Sequence, residues 1–200
     1  WEQAVKADPA QYMAYRNLAV AYYSHLGRPE KALPLLEKAL ALHPDDGQLV
    51  WEKGYLMTRL HAAPLDTAAF LAKSGITRED VVLEHCRALN LAGQHAQVLD
   101  LMASRPFVPC EGGEHAVAEQ YMFAHHALGR KAMQAGNLQT ALTHFQAAQQ
   151  LPENLGAGLW NEVLLVPHQY FEAVCRQRLG DEAEAQRLFA HILLLKVDYF

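Results

Sequence analysis

Two hundred residues, 51% of them hydrophobic and 20% charged, are enough for one continuous core without a division into domains. A formal charge of -5, from 17 basic against 22 acidic residues, offers no basic stripe for nucleic acid, and no apolar run approaches the ~20 residues that span a bilayer. The three cysteines, Cys86, Cys110 and Cys175, lie far apart and read as thiols of a reducing compartment, so the expected location is cytoplasmic.

The chain opens inside a helix, expected over about residues 1–7. Trp1, Ala4 and Pro9 stand there as Leu36, Ala39 and Pro44 stand one unit later, which reads as a fragment of a longer protein whose first unit is incomplete. The next unit places helix A near 11–26 and helix B near 29–42, with Pro29 in the first turn, where its missing N–H costs nothing. Pro34 lies deeper and should loosen that helix. A second hairpin follows near 47–60 and 65–73, stopping at Ser74 and Gly75. A third spans about 78–92 and 94–104, with Thr77 to Asp80 resembling a capping box.

The fourth unit begins as early as Glu114 and turns at Gly136, with Asn137 placed to cap its second helix. The fifth runs from about 167 to 179 and from 182 to 197, Asp181 and Glu184 offering a reciprocal cap. The step from Gly27 to Gly93 is two repeat lengths, and the steps on to Gly136 and Gly180 are each about ten residues longer than one. The extra residues fall in Pro- and Gly-rich links near 106–113 and 152–166. No segment sustains a period of two, so no sheet is expected.

Tyr15, Leu18, Ala19, Tyr22, Gly27, Ala32, Leu36, Ala39 and Pro44 form one pattern. His125, Leu128, Gly129, Ala132, Gly136, Ala141, Phe145, Ala148 and Pro152 repeat it almost position for position. Size and spacing resemble the tetratricopeptide repeat, whose hairpins bury their apolar faces only by stacking. The expected fold is a single all-α domain over 1–200, a right-handed superhelical solenoid of about five such hairpins.

That architecture directs function to the helix-A side chains that face away from helix B. Arg16, Asn17 and Tyr23 qualify in the first full unit, Arg87 and Asn90 in the third, Phe123, His126, Arg130 and Gln134 in the fourth, and Tyr170 and Arg178 in the fifth. Arginine and tyrosine are common at binding hot spots, and the arginines recur once per legible unit. Asn17 stands where some tetratricopeptide domains carry an asparagine of a peptide-carboxylate clamp. The second asparagine position is Val20 and the lysines are missing, so that clamp is a poor match. Glu111, Glu114, Glu153 and Asn154 on the links are further candidates, since loops carry function more often than packed helices.

Eleven histidines show no metal-binding spacing, no Cys-x-x-Cys accompanies them, and no phosphate loop or nucleophile motif is present. The expectation is a non-enzymatic protein-interaction module without metal or cofactor, its partner another protein, a peptide or the rest of its own parent chain. Glu172 and Arg176 can pair at i, i+4 and read as the polar outer face of a terminal repeat. The apolar stripe Ile192 to Leu195, with Val197, Tyr199 and Phe200, suits a fold-back or a homodimer. The link Pro109 to Glu114, with Gln120 and Tyr121, and the link Pro152 to Gly156 also resemble the C-terminal repeats of large bacterial proteins. Their N-terminal part is a carbohydrate-active-like β-sandwich. That resemblance implies an alternative role as a structural or oligomerising arm of such an enzyme.

Overall fold

Local sequence signals set the helix ends. In a computed structural model, which describes residues 1–109, 113–159 and 161–195, eleven α-helices and no strand occur among the described residues. The protein is an all-α helical-repeat protein, and its helices fall into two units, Trp1–Ala92 and Gly93–Phe200.

The first unit holds α1 (Glu2–Ala7), α2 (Tyr12–Val20), α3 (Pro29–Leu42), α4 (Gly47–Arg59), α5 (Pro64–Ser74) and α6 (Glu79–Leu91). Helix α2 widens into a π turn over Ala21–His25, and Gly27 then reverses the chain at φ 60°. A side chain would be strained there, which is why glycine marks the turn. Helix α3 starts on Pro29 as expected and continues through Pro34, whose side faces solvent. Asp46 caps α4 by accepting from the backbone N–H of Gln48 at 2.8 Å and of Leu49 at 3.2 Å.

Successive helices pack as antiparallel neighbours, α2 on α3, α3 on α4 and α5 on α6, while α4 also packs on α6. Ala19, Ala32, Leu36 and Ala39 are fully buried with Leu49 and Leu56 in one core. Small residues occupy the crossing points because helix axes there approach closely. Gly54 shows how closely, since a Cβ on it would sit 2.7 Å from Leu71 Cδ2.

The second unit holds α7 (His95–Ala103), α8 (Glu114–Gln134), α9 (Leu138–Ala147), α10 (Val166–Leu179) and α11 (Glu182–Leu194). Each packs on the next in chain order. Phe145 is fully buried beside Ala141, Leu142 and Cys175, with Phe171 stacked on it at 5.4 Å. Short 3-10 turns over Glu153–Leu155 and Glu162–Leu165 fill the long link.

Three expected caps are not made. Helix α6 starts one residue later than a Thr77 cap requires, and Asp80 instead binds the Arg78 guanidinium. Asn137 and Asp181 precede α9 and α11 without a side-chain bond to their N-termini. Asp181 Oδ2 accepts from Arg176 Nη1 at 2.8 Å, a charge-assisted bond that competes with capping. Nor is Glu172 on an outer face: it pairs with Arg176 as expected, yet is only 6% exposed. Leu193 and Leu194 at the end of α11 are 78% and 79% exposed, while Val197, Tyr199 and Phe200 lie outside the described residues.

Candidate functional site

Two of the expected binding arginines are ion-paired with buried carboxylates. Arg16 on α2 reaches α4, where Nη2 and Nε donate to Glu52 Oε1 at 2.5 and 3.0 Å. Gln48 Nε2 donates to the same oxygen at 2.9 Å. Glu52 is 2% exposed, so its charge is tolerated only because this fork neutralises it. The bond to Glu52 holds the Arg16 guanidinium above its usual range, and burial, then Glu52, raises the Tyr23 phenol. Arg87 is tied similarly, Nη1 donating to buried Glu84 at 3.1 Å, with Thr58 Oγ1 on the other oxygen at 2.8 Å. Asn90 is buried on the same helix, and Asn17 is half-buried on α2.

Glu172 repeats the device in the second unit, accepting from Gln146 on α9, from Gln149 in the turn that follows it and from Arg176 on α10. Each buried carboxylate thus bridges two helices, a role the sequence reading did not assign to any of them. The first unit also contains a cavity of about 260 Å³ bordered by Thr58, Thr67, Leu91 and by His61, which holds φ 57°.

The link candidates divide. Asn154 Nδ2 donates to the carbonyls of Met102 and Arg105, both at 2.9 Å, and its own carbonyl accepts from Phe107 N–H at 2.7 Å. Phe107 and Leu155 are buried beneath this junction. The two links therefore dock on each other through Asn154. Gly156 follows at φ 58°, where a Cβ would meet Phe107 O at 2.6 Å. Glu153 is exposed on the 3-10 turn and Glu114 opens α8, where its charge suits the helix start. Glu111 and Cys110 lie outside the described residues.

The remaining candidates converge on α8 and α10. Their facing sides form a groove of about 210 Å³ lined by Glu119, Met122, Phe123 and His126 from α8, and by Leu164, Pro167 and His168. Phe123 stands at 53% exposure, its ring 5.8 Å from that of His95. His126 Nδ1 lies 3.1 Å from His168 Nδ1, and its ring meets those of Phe145 and Phe171 edge-on. One turn on, the Arg130 guanidinium sits 5.3 Å over the Phe171 ring. Tyr170 is 48% exposed and edge-on to Phe171. Gln134 and Arg178 are exposed near the C-terminal ends of α8 and α10.

About 100° around α8, His125 Nδ1 lies 3.0 Å from His144 Nδ1 on α9. Burial and then His144 push His125 down to about 4. Burial and then the two α8 histidines push His168 down to about 4. His126 is lowered by burial and by Arg130, and His144 by burial. Four imidazoles thus stay neutral at physiological pH. The sequence reading had His126 but neither pairing. Glu119, Met122, Phe123 and His126 at helical spacing carried a signal for the groove wall.

No set of three or more His, Cys, Asp or Glu side chains able to hold a metal occurs among the described residues, and no described helix is long and apolar enough to cross a membrane.

Residues 14–56 match the tetratricopeptide repeat family. YrrB, described as a tetratricopeptide-repeat protein with an unusual peptide-binding site, superposes with a TM-score of 0.65 at 16% identity, over 99% of this chain and 93% of its own. MamA from Desulfovibrio magneticus RS-1, from residue 41 to its end, gives 0.57 at 16% identity, over 92% of this chain and 94% of its own. PilW, a widely conserved type IV pilus biogenesis factor, gives 0.50 at 21% identity, over 96% of this chain and 80% of its own. At these identities the likeness is one of fold, the helical-repeat fold of tetratricopeptide proteins.

Proposed function

We propose that this chain is a non-enzymatic protein-interaction module. An extended segment of a partner lies along the α8 and α10 face of the second unit and places an apolar side chain in the groove. The observation that carries this reading is Phe123, an aromatic ring 53% exposed at the rim of a cavity floored by apolar and aromatic side chains. Exposed aromatics beside a concavity are the usual anchors of recognition, and Arg130 and Tyr170 flank the same face. Peptide binding by a protein of the same fold, YrrB, supports the class of ligand. Arg16 and Arg87, held by buried carboxylates, serve the framework in this reading.

The test is selection of a random peptide library on the immobilised whole chain. Retained peptides are expected to share an aromatic or branched aliphatic residue. Phe123→Glu should weaken them about thirtyfold while leaving Tm unchanged. Undiminished binding by that variant would refute the groove as the site.

A further inference from the structure

Adjacent positions on a helix point about 100° apart, so His125 and His126 leave α8 in different directions. Each meets an imidazole from another helix: His144 on α9 at 3.0 Å, and His168 on α10 at 3.1 Å. A single turn of α8 is therefore held on two sides by Nδ1···Nδ1 contacts.

Such a contact is a hydrogen bond only when one ring carries Nδ1–H and the other presents an Nδ1 lone pair. One added proton can be held, since an imidazolium can still donate to its neutral neighbour. A second places two N–H groups and two positive charges about 3 Å apart. The surroundings do little to offset those charges. Around the first pair stand the Tyr121 ring, 4.6 Å from His125, and His144 itself on α9. Around the second stand Arg130 from α8 and the Phe145 and Phe171 rings from α9 and α10. From α7, His95 meets Phe123 and feels Lys131. Glu119 is the one acid among the described residues that line the groove. Glu172, the buried acid of α10, is bound to Gln146, Gln149 and Arg176.

We propose that the two histidine pairs make the α8 groove a proton-gated binding site, closed around a partner at neutral pH and loosened in acid. His126 and His168 are groove walls as well as a helix–helix contact, so separating them changes the surface that the partner's apolar side chain meets. The two pairs are coupled through space, because charge on His125 acts on His168. The occupant rests on the functional reading above, whereas the switch rests on the pairs alone.

The test begins with the whole chain and no ligand. Histidine-selective NMR should show His125 and His168 staying neutral well below pH 6, and the four imidazoles titrating interdependently. Hydrogen exchange, corrected for its intrinsic pH dependence, should rise at least tenfold in α8, α9 and α10 between pH 7.5 and 4.5, with α3 and α4 unchanged. His144→Gln, which keeps an amide donor for His125 but removes a titrating group, should shift that loss to lower pH. The library-selected peptide should bind at least tenfold more weakly at pH 5 than at pH 7.5. Independent titration of the four rings with constant α8 protection would overturn the switch. So would a His144→Gln profile identical to the parent's. Acid-labile α8 protection with no peptide selected would uphold the switch and refute the groove reading instead.

Discussion

The side chain of Asn154 closes the C-terminal end of α7, donating to the Met102 carbonyl at 2.9 Å from 52 residues further along the chain. The last carbonyls of a helix have no partner within it, and here a distant link supplies one. The second Nδ2 hydrogen goes to Arg105 O, also at 2.9 Å, so one amide fixes both the helix end and the link that leaves it.

Asn154→Ala should therefore act on stability rather than on binding. Two carbonyls of a half-buried junction lose their donor, at about 2 kcal/mol in all. Chemical denaturation should show that loss, and Gly156→Ala should add to it through its clash with Phe107 O.

The recurring arginines should separate in the same assay. Arg16→Ala leaves Glu52 buried with its main counter-charge gone, a change expected to cost about 3 kcal/mol. Arg178→Ala, on an exposed stretch of α10, should stay within about 0.5 kcal/mol of the parent. Equal effects would mean that the buried carboxylate does not organise the α2–α4 contact.

What the sequence made legible and what it hid follow from the range of the interactions. Ala19, Ala32 and Ala141 report crossing points, and Gly27, Gly136 and Gly180 report turns, because size and backbone freedom are local properties. Helix bounds from Tyr12 to Leu194 accordingly fall within a few residues of expectation. Arg16 and Glu52 are 36 residues apart and His126 and His168 are 42 apart, and nothing local says that they meet. Each reads in isolation as a solvated side chain on a helix face. Asn154 looked like a loop residue free to bind for the same reason. The missing cap at Asp181 shows that a favourable residue type does not ensure a bond when Arg176 competes for the carboxylate.

Gly129 tests the packing directly. A Cβ there would approach the Phe145 ring to 2.8 Å, and that ring is held by Phe171 and cannot retreat freely. Gly129→Ala is expected to destabilise by about 1–3 kcal/mol. Adding Phe145→Leu should make the alanine far less harmful, which thermal melts of the single and double variants would show.

Acid should destabilise the protein through its histidines. His125 and His168 are held at about 4 when folded, against 6.5 for an unconstrained imidazole. The unfolded chain then binds more protons throughout that interval, so stability falls as pH drops from 6.5 towards about 4 and levels off below, as far as these groups are concerned. Urea midpoints measured across pH 4–7.5 should trace this fall. Replacing His144 with Gln should reduce its depth.

The most direct measurement is a hydrogen-exchange footprint of a library-selected peptide on the whole chain at pH 7.5. The account expects added protection in α8 and α10, centred on Phe123, His126 and His168, with none in α2 to α6. Protection confined to the first unit, or to the end of α11 around Leu193, would contradict it.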